Sequence, residues 1–140
     1  MQKLLVRRLS EDAKLPTKAH ETDAGFDLYS IENVILPQRE TTKVKTGIAV
    51  KIPDGYVGIL KARSSLGSRG IDILAGVIDS GYTGELMACM LNLSPHFVEL
   101  KAGDRVAQLV IVPIPQIVVE ERLVLPVTDR NENGFGSSGK

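Results

Sequence analysis

The sequence predicts an all-β sandwich or barrel, on three observations. Short apolar runs recur along the chain, each bounded by Gly, Pro, Asp or Ser. One of them, Lys43 to Ile52 (KVKTGIAVKI), alternates with a period of two. Nowhere do apolar residues repeat at helical spacing over the roughly 11 residues that an amphipathic helix requires. The best helical candidate is a short turn within Ser64 to Gly70.

In Lys43 to Ile52, Val44, Thr46, Ile48, Val50 and Ile52 share one face and Lys43, Lys45 and Lys51 the other, as in a half-buried strand. Pro53-Asp54-Gly55 supplies turn chemistry before YVGILKA, which predicts a hairpin between the two runs. Further strands are expected in ILAGVI, ELMACMLN, HFVEL, VAQLVIVP and QIVVEE. Aromatic residues make up only 4% of the chain, so Val, Ile and Leu must fill the core. From Thr128 onward the chain reads TDRNENGFGSSGK, a polar, Gly-rich stretch with Phe135 in its middle. Too little apolar surface remains there to order it independently. The expected organisation is a β domain over residues 1–127 and a flexible C-terminal segment over 128–140, either a free terminus or a flap.

With 140 residues the chain matches one domain, and 43% hydrophobic with 24% charged residues is globular composition. Lys plus Arg and Asp plus Glu both number 17, so no overall field draws the molecule to nucleic acid or an anionic membrane. Any polyanion site is local. No apolar run approaches the roughly 20 residues of a membrane span, and the opening MQKLLVRRLSEDAK lacks the apolar stretch of a secretory signal. A soluble, cytoplasmic protein is expected. The single cysteine, Cys89, lies in LMACML and reads as an inert core residue. His20 and His96 match no metal-ligand spacing and no second cysteine exists, so a participating metal needs oxygen ligands.

Several polar segments stand out from this background. ARSSLGSRG combines Arg63 and Arg69 with Ser64, Ser65 and Ser68 and with Gly67 and Gly70, the donors and close backbone approach a phosphate chain needs; on composition alone it reads rather as a polar loop at a helix start. No GxxxxGK[ST] loop is present. In AGVIDSGYTGE, Asp79 follows Val77 and Ile78 at a strand end, with Tyr82 close behind; it is either a general base or the cap of a β-turn. Asp27 in DAGFDLY is a site acid or a turn acid, and Gln108 in DRVAQLVIVP is a site amide or an outward edge residue. In the tail, Phe135 could lie on a flat heterocycle while Arg130, Ser137 and Ser138 reach phosphate oxygens.

Their order is more informative than any one of them. DAGFDL (Asp23 to Leu28), ARSSLG (Ala62 to Gly67), GVIDSGYTGE (Gly76 to Glu85), DRVAQLVI (Asp104 to Ile111) and RNENGFGSSG (Arg130 to Gly139) together resemble the five ordered motifs of the trimeric dUTPase family. The resemblance covers most of the chain. It implies a jelly-roll-like β fold with one short helix, a homotrimer with active sites shared between subunits, and hydrolysis of dUTP to dUMP and pyrophosphate with Mg²⁺. Asp79 matches the acid that deprotonates the attacking water and contacts the deoxyribose 3′-hydroxyl. Tyr82 matches the ring that leaves no room for a 2′-hydroxyl. Arg63, Ser64 and Gln108 match the phosphate site, with Ser65 beside them as a further candidate for substrate binding, and Asp27 matches the acid that holds the metal through water. Arg130, Phe135, Gly136, Ser137 and Ser138 match the closing C-terminal motif. Uracil would be read by backbone groups of the hairpin leading into Asp79.

The chain departs from the commonest family pattern at Ala62, Ser65, Gly81, Thr83, Asn131 and Asn133, none of which carries a catalytic role. The related dCTP deaminases share a similar acid-x-Gly-aromatic-x-Gly turn. Cys89 stands where they carry a catalytic glutamate, and a thiol there cannot replace that acid/base. A non-catalytic nucleotide-binding module, or a regulatory protein partner, is the alternative from another class.

Overall fold

The computed structural model describes residues 1–139 as ten strands and one helical turn. In chain order the strands are β1 (Leu5–Arg8), β2 (Gly25–Tyr29), β3 (Val34–Leu36), β4 (Thr41–Lys51), β5 (Tyr56–Lys61), β6 (Ile71–Leu74), β7 (Val77–Ile78), β8 (Glu85–Asn92), β9 (Val98–Leu100) and β10 (Arg105–Pro113). The turn, α1 (Ser64–Gly67), falls inside the segment singled out for it. Every pairing is antiparallel, in two four-stranded sheets of order β1-β4-β8-β6 and β2-β10-β5-β7 and a two-stranded sheet β3-β9. The architecture is jelly-roll-like.

The two larger sheets enclose a core of aliphatic side chains. Leu28, Leu36, Val44, Ile48, Ile52, Leu86, Met90, Val106 and Leu109 are essentially inaccessible, and no aromatic ring is among the fully buried side chains. Burying each Leu or Ile contributes roughly 1.5–3 kcal/mol, so the aromatic-poor composition suffices to close the sandwich. On β4, Val44, Thr46, Ile48 and Val50 point inward, as the alternation predicts. The register against β8 shifts between Lys45 and Ala49, where Gly47 takes φ +70°. The bulge inserts two residues on β4, which preserves the facing of its side chains on either side.

Four expectations about elements are corrected. Runs β4 and β5 are consecutive but do not pair: β4 is flanked by β1 and β8, and β5 by β10 and β7. The Pro53-Asp54-Gly55 turn, closed by Tyr56 N–H to the Pro53 carbonyl at 3.2 Å, carries the chain from one sheet to the other. ILAGVI is likewise two strands in two sheets, broken at Ala75 and Gly76, which both take left-handed φ (57° and 86°). QIVVEE forms no strand; the last strand ends at Pro113. β1, β2 and β3, which were not foreseen as strands, are three to five residues long, too short for period-two alternation to register.

Candidate active site

Gln108 is the register partner of Asp27 on β2 and of Lys61 on β5, so the first and fourth motifs lie side by side on β2 and β10. Directly opposed residues in such a ladder project to the same face with Cβ atoms about 5 Å apart. Arg63 and Ser64 follow β5 at the entrance to α1. Together with Ala19, Asp23, Gly25 and Arg105 these side chains line a polar cleft of ≈ 300 Å³. Arg63 Nε donates to Asp27 Oδ1 at 3.1 Å, and Arg105 Nη1 approaches Oδ2 at 3.5 Å. Asp27 is largely buried, 17% exposed, and the two guanidinium groups compensate its charge. Gln108 Nε2 donates to the Ala62 carbonyl at 3.1 Å, tying β10 to the segment that carries Arg63. The cleft therefore presents preorganised cationic and hydroxyl donors, which suits an anionic oxygen-rich ligand. Ser65 does not line it; the side chain is exposed on α1.

The third motif forms a projecting loop that carries the chain from β7 in one sheet to β8 in the other. After β7 the chain turns at Asp79 to Tyr82, with Tyr82 N–H donating to the Asp79 carbonyl at 3.0 Å. Tyr82 Oη then donates to the Glu85 carbonyl at 2.9 Å. The ring lies so close to Gly84 that a Cβ there would come within 2.6 Å of Oη, which explains the glycine. Asp79 is exposed at the rim of a cavity of ≈ 270 Å³ whose walls include Leu60, Leu74, Gly76, Val77, Ile78, Tyr82, Met87 and Cys89. Cys89 is thus not a core residue. Along β8, Leu86, Ala88, Met90 and Asn92 are buried, while Met87 and Cys89 face outward into this cavity. The apolar look of LMACML hides a two-sided strand.

Cleft and cavity share no lining residue. Gly58 pairs with Ile78, so Asp79 is level with Val57, whereas Arg63 lies beyond the other end of β5. That offset corresponds to about six residues, or roughly 20 Å of strand. Within one chain Asp79 and Tyr82 do not meet Asp27, Arg63, Ser64 and Gln108. The tail meets neither group. Arg130 Nε donates to the Asn133 carbonyl at 2.6 Å, and Thr128 and Asn131 exchange side chain to backbone hydrogen bonds at 3.1 and 2.9 Å. Ser137 N–H bonds the Gly134 carbonyl, and the Phe135 ring is fully exposed. Asn131 takes φ +48°, a conformation asparagine tolerates well, which accounts for its presence where the family pattern carries glycine. Gly136, Ser137 and Ser138 are exposed; Lys140, the last residue of the expected flap, lies outside the described residues.

Two residues escaped the sequence reading. Arg105 completes the pairing of Asp27, and its position opening the fourth motif was the available signal. Glu85 closes the third motif, and its carboxylate accepts a hydrogen bond at 3.0 Å from Gly47 N–H on the neighbouring strand β4, a contact between residues distant in sequence.

The dUTPase family model matches residues 11–139. The chain belongs to the dUTPase family. The deoxyuridine 5′-triphosphate nucleotidohydrolase of Clostridium kluyveri is 42% identical over 97% of each chain, and that of Paramecium bursaria Chlorella virus 1 is 43% identical over 99% of each. Among solved structures, a point mutant of the Staphylococcus bacteriophage 80alpha dUTPase with dUpNHpp superposes with a TM-score of 0.94 at 34% identity over 100% of both chains. A mutant dUTPase from phage phi11 of S. aureus, described with a structural Mg(II) ion, gives 0.82 at 35% identity over 88% of this chain and 98% of its own. Among the described residues of this dUTPase-family chain, no group of three or more His, Cys, Asp or Glu is gathered around one point. No helix among them is long and apolar enough to cross a membrane.

Proposed function

We propose that the chain hydrolyses dUTP to dUMP and pyrophosphate with Mg²⁺, in a cytoplasmic nucleotide pool, as a homotrimer whose sites are shared between subunits. The observation that carries this reading is the Asp79–Tyr82 turn at the rim of an open, largely apolar cavity, in a chain of the dUTPase family. Uracil and deoxyribose fit the cavity, where backbone groups of Gly76 to Ile78 offer the donors and acceptors that separate uracil from cytosine. The Tyr82 ring, held by Glu85 and backed by Gly84, packs under the sugar and excludes a 2′-hydroxyl. Asp79 orients a water and takes its proton as the water oxygen bonds the α-phosphorus. The bond from that phosphorus to the bridging oxygen breaks, and pyrophosphate leaves. Arg63, Ser64 and Gln108 hold the phosphate oxygens on which charge develops.

The donor set fits a metal ion carried mainly by the triphosphate. No protein cluster supplies a full ligand set among the described residues, and Asp27 is already engaged by Arg63 and Arg105, which suits contact through water. When bound, the ion neutralises phosphate charge and activates the leaving group.

The shared site is supported by the separation of the two residue groups along β5 and by the chain after β10. Residues 114–127 have Ile117, Val118, Val119, Leu123, Val124, Leu125 and Val127 in the open; Val118 and Val119 are 91% and 94% exposed. Exposed apolar surface on this scale belongs in an interface. A segment of about 14 residues spans up to roughly 45 Å, enough to deliver Arg130 and Phe135 to a site on another subunit. In that position residues 128–139 act as a lid, Phe135 over the base and Arg130, Gly136, Ser137 and Ser138 at the phosphates. The deciding experiment is release of pyrophosphate from dUTP by purified protein with Mg²⁺. Turnover is expected, with UTP and dCTP left intact; intact dUTP would end the reading.

A further inference from the structure

Glu85, the first residue of β8, touches the Asp79–Tyr82 turn through its backbone and the neighbouring strand β4 through its side chain. The Tyr82 hydroxyl is held by the Glu85 carbonyl at 2.9 Å, while the Glu85 carboxylate accepts from Gly47 N–H at 3.0 Å. Gly47 is buried at the β4 bulge, where the ladder to β8 is interrupted and its N–H needs another acceptor. The bulge is itself fixed. Gly47 C=O accepts from Leu9 N–H at 2.8 Å, Thr46 Oγ1 donates to the Leu86 carbonyl at 2.6 Å, and a Cβ on Gly47 would press on Ala13 and Ile31 at 3.1 Å.

By contrast, the loop between Asp79 and Gly84 is largely exposed; β7 offers it only two residues of strand at one end, and at the other it is fixed where Glu85 begins β8. Its remaining tether is internal, from Tyr82 N–H to Asp79 C=O. We infer that Glu85 is a positioning residue that anchors the sugar-sensing tyrosine to the rigid bulge of β4, so that substrate discrimination depends on a carboxylate that never reaches the nucleotide. The inference rests on the reading of Tyr82 as the ring that excludes a 2′-hydroxyl. A charge-assisted bond to a backbone amide is short and directional, which is what holding a ring to a fraction of an ångström demands. Loosening it lets the ring retreat and admits the larger sugar.

The test compares Glu85→Gln, which keeps the reach and an acceptor, with Glu85→Asp, which keeps the charge but is one methylene short of Gly47. Full-length protein is assayed for kcat and KM on dUTP and UTP with Mg²⁺, and for protection of the Gly47 amide from hydrogen exchange. The ratio of kcat/KM for dUTP over UTP is expected to fall about tenfold in Glu85→Asp and to stay within about twofold of wild type in Glu85→Gln. Gly47 protection should follow the same order. Equal ratios in the two variants and the wild type would overturn the anchoring role. Failure of the wild type itself to prefer dUTP would instead overturn the functional reading beneath it.

Discussion

The polar cleft and the Asp79–Gly84 loop both start from the β2-β10-β5-β7 sheet and are built in opposite ways. Asp27 and Gln108 sit inside paired strands, and the cleft's charges neutralise one another through Arg63 and Arg105. The loop extends from β7, an edge strand of two residues, to β8 in the other sheet, where the Glu85 carbonyl holds Tyr82 and the Glu85 carboxylate ties the start of β8 to the bulge of β4. Phosphate charge is long-ranged and tolerates a site assembled from ladder residues, whereas sensing one sugar oxygen needs a ring placed at contact distance. The cleft couples function to stability. In the loop and tail the two are separable.

Asp79→Asn probes that separation with the largest expected effect. Asp79 is exposed, so the substitution leaves Tm within about 2 °C of wild type. Removing the proposed base should slow dUTP turnover by about 10²- to 10⁴-fold while nucleotide binding persists. A fully active variant would assign the base elsewhere. Arg63→Ala and Arg130→Ala come next and should diverge. Both would remove a phosphate contact in the proposed mechanism, and each is expected to slow turnover by up to about 10³-fold. Arg63→Ala also strips Asp27 of its nearer partner and should cost about 1–2 kcal/mol of stability. Arg130 bonds only its own tail, so its loss should leave the denaturation midpoint unchanged. Equal destabilisation by both would erase the contrast between cleft and tail.

What the sequence disclosed follows the range of the interactions involved. The five motifs, the β4 alternation and the aliphatic core are local or periodic, and each was legible. Pairing was not. A Pro-Asp-Gly turn between two apolar runs has the same local chemistry whether it closes a hairpin or passes the chain between sheets, and only the neighbours of β4 and β5 decide. Cys89 was misplaced for the same reason: Leu86, Ala88 and Met90 alternate with Met87 and Cys89, which are also apolar, so nothing in composition marked the outward face. Arg105 and Glu85 act through partners 78 and 38 residues away, so membership of a motif marks them while their contacts are not legible locally.

A milder probe addresses the tail. Phe135 has no packing partner in one chain, so Phe135→Trp should leave stability unaltered and report the lid by fluorescence anisotropy. Adding dUpNHpp with Mg²⁺ is expected to raise the anisotropy of that indole, and equal values with and without the nucleotide would argue against closure.

The smallest effect is expected at the turn that joins the two sheets. Lys51 Nζ lies 2.6 Å from Asp54 Oδ1, and the hydrogen bond and charge of Lys51 hold the Asp54 carboxyl below its usual value of 3.8. A folded-state value that is depressed stabilises the protein above the unfolded value and loses that stabilisation as pH falls through the folded one. Asp54→Asn and wild type should therefore unfold alike in strong acid and differ, in favour of wild type, once the pH is above the ordinary Asp value of 3.8. Asp54 is fully exposed, so the difference should be marginal at low ionic strength and vanish in high salt. A large, salt-independent loss would mean that this turn fixes the relative placement of the sheets, and the independence of cleft and loop would then have to be traced through it.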